Sequence, residues 1–185
     1  MSSAPHQAVI LAAGRGSRLA EETGEMPKAL LPIGPRSLED PTETSFLRRQ
    51  VELLFEAGVE QVVVVVGYLR EQIFAELERW GQEVQTVVNP AQDITASGSL
   101  DSFQCAARAG LGVLDGTRQT LMLDADIVYH RDALNLFLAA PERTSMLVCS
   151  EHVQDDEEVL VYGSTERPRF MGKGLTPALV AGAPC

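Results

Sequence analysis

Gln61–Val66 reads QVVVVV, five valines in a row. A strand with one wet face alternates apolar with polar residues, whereas an unbroken β-branched run suits a strand covered on both faces. Parallel sheets are the ones covered on both faces, because their crossover connections are helices. The flanking segments read as such helices. Residues 46–57 carry Phe46, Leu47, Val51, Leu54 and Phe55 at helical spacing and stop at Gly58, a suitable C-cap. Arg70–Trp80 sets Ile73, Phe74 and Leu77 on one side and ends at Gly81. Residues 8–13, Gln85–Val88, 120–123 and 145–149 read as further strands. A helix opening at Gly98 or Ser99 runs to Ala109, and another covers 132–139. Residues 159–162 and 169–172 are expected to form a hairpin-like pair. The alternation predicts a mostly parallel α/β sheet with its ligand crevice at the carboxyl ends of the strands.

The first strand leads into a loop built for anions. Val9-Ile10-Leu11-Ala12-Ala13 ends in small residues, and Gly14-Arg15-Gly16-Ser17-Arg18-Leu19 follows. Glycines let the backbone approach a ligand and present its N–H groups, and successive N–H groups form an anion-binding concavity. Arg15, Arg18 and Lys28, the last held behind Pro27, add positive charge to the same connection. Two familiar phosphate loops do not fit. A P-loop closes on Gly-Lys-Ser/Thr, and no such triplet follows Gly14 or Gly16. A dinucleotide loop needs a third glycine where Leu19 stands, and an acidic residue after the next strand where Gly67-Tyr68 stands.

What remains, Gly-x-Gly-x-Arg with a downstream Pro-Lys, resembles the nucleotidyltransferases that join a nucleoside triphosphate to a phosphorylated sugar or alcohol and release pyrophosphate. The stretch from Asn89-Pro90 to Gly98-Ser99-Leu100, with Leu123-Asp124-Ala125-Asp126-Ile127, looks most like the phosphocholine and phosphonate cytidylyltransferase branch. The resemblance implies a Rossmann-like three-layer α/β/α sandwich of the nucleotide-diphospho-sugar transferase type. It implies that Leu11, Ala12, Ala13, Gly14, Arg15, Gly16, Ser17, Arg18 and Lys28 bind the nucleotide, with Arg18 and Lys28 acting in catalysis. It also implies that the aspartate after the fourth strand binds catalytic Mg²⁺. Asp126 is the better match for that role and Asp124 its outer-shell partner. Hard divalent ions of this kind take one or two carboxylates with phosphate and water, although an aspartate pair after a strand is also a common turn.

Asn89, Thr95, Ser97 and Ser99 line the loop after the third strand. The resemblance makes them nucleobase contacts; an ordinary polar loop with a serine N-cap accounts for them equally well. Lys173 stands where related enzymes place a lysine on the acceptor phosphate, and a surface lysine between glycines is the plainer alternative. His6, His130 and His152 have no motif around them, and Asp155-Asp156-Glu157-Glu158 reads as a solvated turn.

Composition narrows the partners. A chain of 185 residues, 45% hydrophobic, suits a single domain over 1–185. Its formal charge of −11 argues against nucleic acid, which needs an extended basic surface, while leaving room for a nucleotide on a local basic loop. Cys105, Cys149 and Cys185 lack metal-ligand spacing and read as reduced thiols of a cytoplasmic protein. No signal peptide or membrane-length apolar run is apparent. The expected activity is Mg²⁺-dependent transfer of CMP from CTP to a 2-aminoethylphosphonate- or phosphocholine-like acceptor, with a homodimer compatible with it. A sugar-1-phosphate nucleotidyltransferase using UTP, dTTP or GTP, or a non-catalytic nucleotide-binding regulatory domain, are the alternatives. Family members usually continue into further strands and a second metal carboxylate. Residues 175–185 read here as a short Ala/Pro/Gly/Val tail, and no acidic residue follows Glu166, so the usual C-terminal portion is expected to be lacking.

Overall fold

The valine segment is a strand, and its valines are at most 1% exposed. In a computed structural model of the chain, residues 6–14, 26–36, 38–81, 83–91, 98–140, 144–149, 159–164 and 166–182 are described. The chain divides into two compact units, Met1–Glu142 and Arg143–Cys185.

In the first unit, β1 (His6–Ala12), β4 (Gln61–Val66), β5 (Gln85–Val88) and β6 (Gln119–Asp124) form one parallel sheet in the order β5-β4-β1-β6. The chain steps outward from β1 to β4 and β5, then returns to place β6 on the other side of β1. Strand order therefore reverses between β1 and β6, the point where open α/β sheets bind ligands. Side-chain alternation sorts the strands into two cores. Ala8, Ile10, Ala12, Val62, Val64, Val66 and Leu121 share one with residues of α1 (Phe46–Glu56), α2 (Arg70–Trp80) and α4 (Arg131–Leu138). Val9, Ala13, Val63 and Val65 share the other with Ala106 and Phe103 of α3 (Ser99–Arg108). This is the expected three-layer sandwich. Fully buried Ile10, Leu47, Leu54 and Ile73 are each worth about 1.5–3 kcal/mol of apolar burial.

Local signals set the helix ends. Ser45 Oγ accepts from Arg48 N at 3.3 Å and caps α1, and Gly81 ends α2 with φ 64°. A short antiparallel pair, β2 (Pro32–Pro35) with β3 (Glu43–Ser45), precedes α1. Neither strand is expected from the sequence, where Pro32, Gly34 and Pro35 break the pattern.

At the carboxyl edge, β4 turns off at Gly67 under tight contact. A Cβ built on Gly67 would stand 2.8 Å from the carbonyl oxygen of Ala13 and 3.0 Å from its Cβ. Backbone is the obstacle, so no side-chain rotation relieves it. Gly67→Ala is expected to cost about 1–3 kcal/mol, the usual range for overpacking. Urea unfolding should show a lower midpoint at unchanged slope; a midpoint equal to the parent's would contradict the contact.

The second unit contains β7 (Leu160–Ser164) antiparallel to β8 (Arg167–Gly172), the expected hairpin. Residues 145–149 are not a strand: 144–149 are exposed and form no regular element, because apolar composition alone does not set a strand against a sheet edge. Residues 175–185 are not all tail either. Pro177–Gly182 forms a short helix, α5, with proline at its first position and Thr176 Oγ1 accepting from Leu179 N at 3.3 Å. The 155–158 acidic run lies outside the described residues.

Candidate active site

Lys28 is fixed by what flanks it. Pro27 holds an extended backbone (φ −60°, ψ 137°), and Lys28–Leu30 then forms one 3₁₀ turn in which Leu30 N donates to Pro27 O at 2.8 Å. The next residue, Ala29, is 4% exposed in the core and anchors the turn to the first unit. The Lys28 side chain points the other way, and its Nζ donates to Asp126 Oδ2 at 2.6 Å. Lys28 and Asp126 are 98 residues apart in sequence.

Asp126 is held from the β6 side. Asp124 is the last residue of β6 and pairs in register with Leu11 of β1. One further backbone bond, Ala125 N to Leu11 O at 3.2 Å, carries the chain past the strand end. Asp126 thus sits in the turn beyond the strand. Asp124 and Asp126 therefore flank the point where the strand's pairing ends. Their proximity is felt electrostatically. Burial of the Asp124 carboxyl, and next the negative charge of Asp126, push its pKa above the ordinary carboxylate value, with Lys28 pulling it down less. Asp124 is nevertheless exposed as a whole residue, so solvent screens the effect and its weight in stability is small.

The sign of that shift is testable. The folded state holds the Asp124 proton more tightly than the unfolded state, so this group's contribution to stability falls as pH rises through the interval above 3.8. Asp124→Asn is expected to gain melting temperature relative to the parent between pH 4 and pH 7. An identical offset at both pH values would contradict the shift.

Other expected site residues divide into three groups. Leu11, Ala12, Ala13 and Gly14 lie at the end of β1 beside this pair, with Leu11 O accepting from Ala125 N and Ala13 O from Tyr68 N at 3.1 Å. Arg15, Gly16, Ser17, Arg18, Thr95 and Ser97 lie outside the described residues. Asn89 is buried with its side chain engaged inside the protein: Nδ2 donates to Ser102 Oγ at 3.0 Å, and Oδ1 accepts from Ala91 N at 3.0 Å. That arrangement ties the exit of β5 to α3. Ser99 is the first, exposed residue of α3, and Gly98 N before it donates to Asp101 Oδ2 at 2.9 Å. Lys173 is exposed in the turn after β8 of the second unit.

One residue escaped the sequence reading. Gln50 lies on the same helical stripe as Leu47, Val51 and Leu54, and is 1% exposed. A polar residue on an apolar stripe is the signal that could have found it. Its Nε2 donates to the carbonyls of Asp124 at 3.0 Å and Ile127 at 3.1 Å.

The donor set suits a hard divalent ion. Two neighbouring carboxylates, one with its charge disfavoured by the other, stand where a cation would relieve their repulsion. Among the described residues no group of three or more His, Cys, Asp or Glu converges, so phosphate or water oxygens would complete the coordination.

Comparison with known proteins decides the family. The profile of the MobA-like NTP transferase domain matches residues 8–174. The chain belongs to that family. The CMP-5'-(3-aminopropyl)phosphonate synthase of Streptomyces rubellomurinus is 35% identical over 144 residues, 77% of this chain and 20% of its own. Among solved structures, the CTP:phosphocholine cytidylyltransferase of Streptococcus pneumoniae matches with 27% identity and a TM-score of 0.50, covering 69% of this chain and 50% of its own. The inositol-1-phosphate CTP transferase of T. maritima is 19% identical and shares the fold, with a TM-score of 0.68 over 95% of this chain and 66% of its own. This NTP transferase chain spans about half the length, or less, of the curated relatives it matches. No helix among its described residues is long and apolar enough to cross a membrane.

Proposed function

We propose that this NTP transferase domain moves CMP from CTP to a small phosphonate or phosphate acceptor, an aminoalkylphosphonate before phosphocholine, and releases pyrophosphate. The observation that carries the reading is the Lys28–Asp126 contact at 2.6 Å, formed beside the carboxyl end of β1 at the point where strand order reverses. A bare nucleotide-binding module has no need of a lysine and a carboxylate pair held together there. The 35% identity to an aminopropylphosphonate cytidylyl synthase supports CTP and a phosphonate acceptor.

The chemistry asks for charge neutralisation and alignment. An acceptor oxygen, already ionised at neutral pH, attacks the α-phosphorus in line with the bond to the leaving pyrophosphate, so no general base is required. Gly14 with Arg15, Gly16, Ser17 and Arg18 would hold the β- and γ-phosphates, Arg18 by a bidentate fork that lysine does not reproduce. Lys28 would face the α-phosphate as charge builds on it. Thr95, Ser97 and Ser99 would border the base, while Asn89 ties the exit of β5 to α3; contact with the acceptor phosphate is the role that the family resemblance gives Lys173. Asp126, with Asp124 beside it, would hold Mg²⁺, which when bound neutralises phosphate charge during the transfer. A cytoplasmic setting suits Cys105 and Cys149, neither of which is in a disulfide.

Pyrophosphate release should be measured with CTP, UTP, dTTP and GTP against 2-aminoethylphosphonate, 3-aminopropylphosphonate, phosphocholine and glucose-1-phosphate. The expected result is release with CTP and the phosphonates. Release confined to another triphosphate with glucose-1-phosphate would move the protein to the sugar branch. No release with any pair would favour a binding module.

A further inference from the structure

Gln50 comes from α1, yet it grips the turn that carries both carboxylates. One carboxamide nitrogen donates to the carbonyls of Asp124 and Ile127, spanning residues 124–127 from end to end. Both partners are carbonyl oxygens that only accept, so the nitrogen, not Oε1, must face the turn. The side chain is 1% exposed and α1 packs in the core through Leu47, Val51 and Leu54, so the grip has a rigid base. No side chain of the turn itself supplies these bonds. The Asp126 carboxylate is thereby presented to Lys28 from a backbone pinned on one side by Gln50 and on the other by Leu11 O, which accepts from Ala125 N.

We infer that Gln50 is a positioning residue for the divalent-ion site: it fixes the backbone of 124–127 so that Asp124 and Asp126 present their carboxylates together. This rests on the reading of Asp126 as the metal carboxylate. Outer partners that orient a ligand set metal affinity rather than nucleotide affinity, typically by 10- to 100-fold. Gln50 therefore acts on the thermodynamic coupling between Mg²⁺ and CTP, and leaves CTP binding in EDTA unchanged.

The test is calorimetric titration of CTP into the full chain, in EDTA and across a Mg²⁺ series, for the parent, Gln50→Met and Gln50→Leu. Both variants fill the space without a donor, and either serves if the other fails to fold; circular dichroism reports the fold. Expected is a parent whose CTP affinity rises with Mg²⁺, and a folded variant needing about 10- to 100-fold more Mg²⁺ for the same gain, with its EDTA affinity intact. A folded variant with the parent's Mg²⁺ requirement overturns the role of Gln50 alone. Equal loss of CTP affinity with and without Mg²⁺ overturns it too, because that is the mark of general loosening. A parent showing no Mg²⁺ effect on CTP overturns the metal reading and this inference with it.

Discussion

Lys28→Ala is expected to lower CMP transfer by about 100- to 1,000-fold, the usual effect of deleting one pre-positioned donor to developing charge. Stability should hardly change. The Lys28–Asp126 pair is 27% and 37% exposed, and pairs of that exposure contribute roughly 0–1 kcal/mol. Ala29, which anchors the 3₁₀ turn in the core, is untouched. The substitution also frees Asp126 from its ammonium partner, so affinity for a divalent ion should be retained or improved while turnover collapses. Rapid-quench measurement of pyrophosphate formation, paired with Mg²⁺ titration, separates the two effects. Near-parental transfer by a folded Lys28→Ala protein would remove Lys28 from the chemistry.

Asp126→Ala is expected to have the opposite signature. Transfer falls on the order of a thousandfold, since charge stabilisation by a bound metal supplies several kcal/mol of the barrier. Here the loss follows the metal: CTP binding in EDTA persists and its gain with Mg²⁺ disappears. Asp124 remains, half of the carboxylate pair, but it stands at the strand end without the Lys28 contact. Lys28 keeps its place because the 3₁₀ turn and Ala29 position its backbone independently of Asp126. If Asp126→Ala kept its Mg²⁺ response, the carboxylate assignment would fall to Asp124.

The sandwich was legible in the sequence because its signals were long and redundant. Five valines in succession, two amphipathic helices and glycines at helix ends all point to one architecture. Motif chemistry marks Lys28 and Asp126 separately; only the folded chain brings them together across 98 positions. The β2–β3 pair escaped because Pro32, Gly34 and Pro35 are strand breakers by composition, and a strand of three or four residues carries no usable periodicity. Residues 145–149 misled for the converse reason: Met146, Leu147, Val148 and Cys149 have strand composition, and composition says nothing about whether a pairing edge is at hand. Gln50 is hard to see in the sequence because Leu47, Val51 and Leu54 complete the helical spacing without it. The polar residue inside that stripe donates to the carbonyls of Asp124 and Ile127.

Phosphorus NMR of CTP, Mg²⁺ and 3-aminopropylphosphonate with the protein tests nucleotidyl transfer at the Lys28–Asp126 pair most directly. The expected spectrum gains pyrophosphate together with a coupled phosphate–phosphonate anhydride pair, and neither appears with Lys28→Ala or Asp126→Ala. CTP left unchanged, or pyrophosphate accompanied only by free CMP, would contradict the claim.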